Sequence, residues 1–383
     1  MMDPERWEHG GAIEYPAIPS GSDDGCRSDR SVHPLGGPDS RTFGNARQAL
    51  HALAIELRHR RDLKRIFFPE HYCYSVIETL ALPLAKLGVE LRLYSDRSLS
   101  DSTATTLRAT DMVIVNQAFG FPKSCPAPVE ESGAVKVLDL SHGPFKDSAP
   151  HLKSYDYVFA SLRKLLPVPD GGLLVSVGGA QIPNEVASST VHDDLAVELD
   201  EALCLKYMYL RGAPVAKDHF YPKHRDIERK MASSHAVSAM SCVGRRRLGF
   251  IDGEFLSRRT IDNSLAFGEQ LIAKSKVGHC PRLIVLVGGT FIYVSVDPPE
   301  MKSALVEALI SRNIWPATLW PISPNFKISG RTRCEVESSF VLNCDSRYGP
   351  GHMAELSDRF SAVASRLGIA ISVQSIESRS MTA

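Results

Sequence analysis

The 383-residue chain carries 44 Lys+Arg against 44 Asp+Glu, and 43% of its residues are hydrophobic and 8% aromatic. That composition excludes a disordered or collagen-like chain and is apolar enough for a sizeable core, and the length predicts a large domain with a smaller one. A formal net charge of zero provides no broad attraction for nucleic acid or an anionic membrane, so neither is expected as a partner.

Met1 to Glu14 holds Asp3, Glu5, Arg6, Glu8 and Glu14 and no apolar block, so no secretory signal is expected; no stretch approaches the length of a membrane span. Cys26, Cys73, Cys125, Cys204, Cys242, Cys280, Cys334 and Cys344 include no CxxC pair. Zinc ribbons and redox dithiols lose support, no metal site is expected, and the chain reads as soluble and cytoplasmic. Residues 17–42, dense in Gly, Ser, Asp and Pro, read as extended, so 1–42 is taken as an N-terminal arm.

From Asn45 the pattern changes. Leu50, Leu53, Ala54 and Leu57 recur at helical spacing, and Arg58 to Arg61 suits a helix C-terminus. Short apolar runs then alternate with helices or loops: Ile66 to Phe68, a helix from Ser75 to Leu87, Val89 to Tyr94, Met112 to Val115, Val135 to Leu140, Tyr157 to Ala160 and Leu173 to Val177. Such runs predict a buried, mainly parallel sheet in an α/β domain over 43–255. Within it, Asp193 to Arg247 shows no clear pattern; His219, His224 and His235 lack metal-ligand spacing and read as solvated or structural, and Arg245 to Arg247 as a solvated helix face. A helix from Phe255 to Ser275 leads into 256–383, where two strands around Gly288-Gly289 and a helix from Pro299 to Arg312 predict a smaller α+β domain.

In parallel sheets the ligand lies outside the carboxyl ends of the strands. Three predicted strand ends carry polar groups there: Asn116; Asp139, followed by Ser141 and His142; and Ser161, followed by Arg163 and Lys164. A loop and one more strand separate Asp139 from Lys164, enough to return the lysine beside the aspartate. Pyridoxal phosphate (PLP) enzymes use such a pair. The lysine forms a Schiff base with the cofactor aldehyde, and the carboxylate keeps the pyridine nitrogen protonated so that the ring can absorb electrons. A neighbouring cation activates such a lysine, and Arg163 is a candidate for it.

The sequence here resembles the fold type I PLP enzymes, and most closely the DegT/StrS group of sugar-aminotransferase-like proteins. Asp139-Leu140-Ser141-His142 resembles that group's D-x-x-H/Q. Ser161-Leu162-Arg163-Lys164 followed by Pro169-Asp170-Gly171-Gly172 resembles its lysine loop, and Asp345-Ser346-Arg347-Tyr348 with Met353 resembles its C-terminal segment. The resemblance covers most of the chain from about residue 41. It implies an aspartate-aminotransferase-like large domain with Lys164 as Schiff-base lysine and proton shuttle, and Asp139 as partner of the pyridine nitrogen. His142 would meet the phenolic oxygen or ring, Ser161 and the Asn45-Ala46-Arg47 turn the phosphate, Tyr72 or Cys73 the ring face, and Asn116 the ring edge. Two positions differ from the sugar-aminotransferase pattern: Phe159 stands where a serine is common five residues before the lysine, and Asn45-Ala46 where Gly-Thr is common. Ser161, three before the lysine, resembles an arrangement found elsewhere in fold type I.

Singly, each residue has a plainer reading. Lys164 beside Arg163 is a solvated pair, Asp139 a cap, His142 a hydrogen-bonded structural histidine and Cys73 a small buried hydrophobe. Tyr72 reads equally as core or site. Arg347 reads as a surface or interface ion pair before a carboxylate binder, and Trp315 and Trp320 as core before pocket wall. The ordered set at successive strand ends favours PLP chemistry but serves all PLP reactions equally; the resemblance implies an aminotransferase acting on an amino donor and a ketone or aldehyde acceptor, and a homodimer. The alternatives are another PLP reaction (β-elimination, decarboxylation, epimerisation or carbon-carbon bond chemistry) and a PLP-fold binding protein without turnover.

Overall fold

The computed structural model describes residues 6–15, 39–95, 107–143, 150–184, 186–234, 236–274 and 281–375. Most of the expected N-terminal arm, His235, Cys26 and Cys280 lie outside them. The first strand, β1 (Ser40–Phe43), falls inside the stretch read as extended arm; it is a sheet strand, paired antiparallel with β7 (Gly172–Ser176). Helix α1 (Ala46–Arg61) follows, with the Asn45 side chain accepting the Gln48 N–H as N-cap and Arg58 to Arg61 in its last turn. Then come β2 (Arg65–Pro69), α2 (Tyr74–Lys86), β3 (Glu90–Tyr94), β4 (Asp111–Asn116), the short α3 (Ala127–Glu131), β5 (Val135–Asp139) and β6 (Tyr157–Ser161).

These strands form a seven-stranded sheet in the order β1-β7-β6-β5-β4-β2-β3. Strands β2 to β6 pair in parallel, and β7 runs antiparallel to β6, so the sheet is mainly parallel. Its apolar runs are near-continuous because both faces are covered: Val113, Val115, Leu138 and Val158 join one core, and Met112, Ile114, Val137 and Phe159 join another with α1 and α2.

The stretch that showed no pattern is helical: α4 (Thr190–Tyr209), α5 (Tyr221–Ser233) and α6 (Cys242–Leu248). Its arginine run is not a solvated face throughout. Arg247 is buried, pairs with Asp200 and lies 3.9 Å over the Tyr15 ring, because α6 packs that side against α4. Helix α7 (Gly253–Ile272) leads to a second sheet, β10-β9-β8-β11, formed by β8 (Arg282–Val287), β9 (Phe291–Asp297), β10 (Ser339–Asn343) and β11 (Ala370–Ser375). Helices α8 (Met301–Ile310), α9 (Gly330–Ser338) and α10 (Pro350–Arg366) complete this part, whose core joins Phe267, Val285, Val294, Leu305 and Phe360. The β8–β9 pair is the expected hairpin, and β11 returns parallel to β8.

Candidate active site

Adjacent parallel strands end together, and their last residues are polar. Asn116 and Asp139 are register partners on β4 and β5, and Ser161 closes β6. A single turn, Leu162–Lys164, then carries the lysine back over the strand ends. The result is a pocket open to solvent, and Asn45, Ala46, Tyr72, Cys73, Asn116, Asp139, His142, Ser161 and Lys164 all line it.

The hydrogen bonds fix its floor. The Ser141 N–H donates to Asp139 Oδ1 at 2.8 Å, and the Ser141 hydroxyl accepts the Ser161 N–H at 3.0 Å, tying β5 to β6. The Tyr72 hydroxyl donates to Asp139 Oδ2 at 2.5 Å, and both residues are buried. Burial and the adjacent Asp139 carboxylate push the Tyr72 phenol well above its usual pKa, so it stays protonated as donor.

Lys164 is part-buried, with Nζ 3.0 Å from His142 Nε2. Burial pulls its pKa below that of a free lysine; Cys73 and Asp139 oppose this, and Arg163 and Arg47 reinforce it. Burial, and then the Lys164 and His71 charges, hold His142 well below its usual value, so the ring is uncharged. Its ring centroid lies 5.1 Å from that of Trp320 in a stacked pair and 4.9 Å from that of Phe291, and the Thr290 hydroxyl donates to its carbonyl. The second sheet's hairpin turn thus braces a residue of the first sheet's loop. His142 Nδ1 and Asn116 Nδ2 are buried without a hydrogen-bond partner among the described residues.

The α1 N-terminus closes on the start of β7 because residue 172 is glycine. A Cβ there would sit 2.2 Å from the Asn45 carbonyl carbon and oxygen. At the mouth, Arg163 pairs with Glu228 of α5, while Arg47 reaches the Ala232 carbonyl at 3.3 Å and the Ser75 hydroxyl at 3.4 Å.

Sequence reading missed Glu228 and Arg47's reach across the mouth, and it named Ser141 and Asp170 within their motifs without giving either a role. Asp170 is buried and accepts from the Ser241 N–H and hydroxyl, each at 2.8 Å, and its Oδ2 lies 2.9 Å from His192 Nε2. It locks the lysine loop to α4 and α6. Nothing local marks His192 or Glu228, because they enter from helices with no motif.

No protein-family model matches the sequence, and no curated protein matches it. Solved structures do. A provisionally named sugar aminotransferase of Streptococcus pneumoniae in its PLP form matches with a TM-score of 0.58 at 11% identity, covering 94% of this chain and 99% of its own. Its PMP form gives 0.58 at 10%, covering 94% and 100%. The sugar aminotransferase CalS13 of Micromonospora echinospora gives 0.56 at 12%, covering 91% and 99%. The chain has the fold of these sugar aminotransferases, the fold type I architecture.

Within this fold type I chain two sequence expectations are corrected and a third, Trp320 as a core residue, is borne out and extended. Arg347 is not at a surface: its side chain is 7% exposed, and it donates to Asp345, Glu14 and the Gly11 and Ala12 carbonyls, which leaves its guanidinium engaged within the chain. Trp315 is 45% exposed and not a core residue. Trp320 is buried and yet lines the pocket, where it stacks on His142 and faces Phe119 and Tyr72, so its packing and its place in the wall are one feature. No helix among the described residues is long and apolar enough to cross a membrane.

Proposed function

We propose that this protein is a PLP-dependent aminotransferase that moves an amino group from an amino donor to a ketone or aldehyde acceptor, a sugar or a specialised metabolite in small-molecule biosynthesis. It would act in the cytoplasm as a homodimer. The observation that carries this reading is the Lys164 amine, depressed in pKa and held at His142, in a pocket whose floor is the Asp139 carboxylate.

The residues fit the cofactor. A carboxylate sits at the floor, the buried His142 Nδ1 and Asn116 Nδ2 lack partners among the described residues, and the α1 N-terminus offers first-turn N–H groups to an anion. On this reading Lys164 would attach the cofactor and Asp139 would pair with its ring nitrogen. His142 and Asn116 would meet the ring edge and phenolic oxygen, Ser161, Asn45 and Ala46 the phosphate, and Tyr72 and Cys73 the ring face. Bound PLP supplies an aldehyde that captures amines and a ring that absorbs the electron pair left when a C–H bond breaks.

The chain's own groups do the rest. Lowered pKa leaves more of the Lys164 amine neutral at a given pH, hence nucleophilic and able to take a proton. Lys164 Nζ removes the donor's α-proton and returns a proton to the acceptor carbon. His142 Nε2, uncharged, accepts an N–H from Lys164 and aims the amine. Trp320, Phe291 and Phe119 keep water from that side of His142.

The test is a PLP titration of purified protein followed by visible absorbance, repeated with Lys164→Ala. A cofactor band that depends on Lys164, bleaches with an amino donor and returns with a keto acid supports the proposal. No band, or the same band in Lys164→Ala, overturns the enzyme reading. A persistent band with release of CO2 or ammonia replaces transamination with another PLP reaction.

A further inference from the structure

We infer that the Tyr72 hydroxyl and the cofactor's ring nitrogen compete for the same carboxylate oxygen, Asp139 Oδ2, so that Tyr72 sets how strongly Asp139 holds the ring. The inference rests on the PLP reading above and adds to it a residue whose expected part was ring contact only.

Each Asp139 oxygen already accepts a hydrogen bond: Oδ1 from the Ser141 N–H at 2.8 Å and Oδ2 from the Tyr72 O–H at 2.5 Å. The Ser141 donor is a backbone N–H, on a residue whose hydroxyl also accepts the Ser161 N–H. The Tyr72 bond comes from a side chain on the short connection between β2 and α2, whose ring lies 5.2 Å from Phe68 and 6.2 Å from Trp320 by centroid. A distance of 2.5 Å belongs to the strong, charge-assisted class of O–H···O⁻ bonds. A carboxylate oxygen has a second lone pair, but each donor that stabilises the anion lowers its basicity toward the next. The ring N–H therefore meets a carboxylate already partly satisfied. Tyr72 is a positioning residue here, acting on the cofactor through Asp139.

A purely structural Tyr72 makes the opposite prediction. If the hydroxyl only orders Asp139, its removal loosens the carboxylate and weakens cofactor binding. If it competes, its removal frees Oδ2 and tightens binding.

The experiment measures PLP affinity by absorbance titration for wild type and Tyr72→Phe, with the thermal midpoint of each cofactor-free protein. Tyr72→Phe keeps the ring and deletes the competitor. The expected result is about tenfold tighter PLP binding, together with a lower midpoint for the cofactor-free variant, because its buried carboxylate has lost a donor. A PLP analogue with C–H in place of the ring nitrogen should bind wild type and Tyr72→Phe alike, and it reports on the competition with no second mutation. Unchanged or weaker PLP binding in Tyr72→Phe, or the same tightening with the nitrogen-free analogue, overturns the competition and leaves the cofactor reading intact. Failure of wild type to bind PLP at all overturns both. Should Tyr72→Phe fail to fold, wild type alone decides through the analogue: competition predicts at most a few-fold preference for PLP over the nitrogen-free form, and a preference above about a hundredfold overturns it.

Discussion

His9, His142 and His352 are each held uncharged by burial. His9 is fully enclosed, with Nδ1 3.2 Å from His352 Nε2, in a stack with Trp7 and Tyr348. Burial, then His352 and Arg347, lower the His9 pKa well below 6.5. Burial and Arg347 bring His352 down to about 4, against the opposing charges of Asp345 and Glu14 and with Arg359 assisting. In the unfolded chain these rings take up protons near pH 6.5, and in the fold they do not. The stability they contribute is complete above pH 6.5 and is lost as the pH falls toward 4. Chemical denaturation between pH 7.5 and 4.5 should show stability falling by up to about 1.4 kcal/mol per pH unit for each such histidine. His352→Gln should flatten that slope. An unchanged slope would show that His352 takes up its proton in the fold as it does in the unfolded chain.

At the level of elements, the approach of α1 to β7 depends on Gly172, since a Cβ there meets backbone atoms that have nowhere to go. Gly172→Ala should cost about 2 kcal/mol or more and weaken PLP binding, because relieving the clash moves the α1 N-terminus. The control is Gly178→Ala, where no atom lies within 4 Å of the added Cβ; its melting point should stay close to wild type. Equal losses in the two variants would refute the close approach. Much of this layer is legible in the sequence. Strands buried on both faces read as continuous apolar runs, and the polar residues ending β4, β5 and β6 are visible as Asn116, Asp139 and Ser161. The helices α4, α5 and α6 are not, because the hydrophobic stripe of α4 is diluted by residues such as His192 and Lys206, which have partners distant in sequence.

For the molecule as a whole, residues 6–15 act as a strap. Arg6 donates to the Tyr209 and Ala213 carbonyls beside α4, the His9 N–H reaches the Asn313 carbonyl, and Glu14 meets both Lys206 and Arg347. Arg347, with Asp345 and Glu14, is an enclosed charge cluster that joins the N-terminal segment to the region of the second sheet. Arg347→Met leaves the buried Asp345 carboxylate without its cation and Glu14 with Lys206 alone, and should cost on the order of 3–5 kcal/mol, read as a lowered midpoint in denaturant. A loss below about 1 kcal/mol would mean that the cluster does not hold the strap. In sequence, Met1 to Glu14 shows only scattered charge, and the Asp345-Ser346-Arg347-Tyr348 segment does not show that Arg347 meets Glu14. What the sequence by itself determined is the mainly parallel sheet, the hairpin of the smaller sheet after it and the order of polar strand ends, because strand periodicity and turn residues are local properties of the chain. Only the tertiary structure decided that Tyr72 reaches Asp139, that Trp320 stacks on His142, that Glu228 closes on Arg163 and that Arg347 turns inward. Each of these pairs residues far apart along the chain, and whether such a side chain meets solvent or a partner is settled by packing, which leaves no local signal.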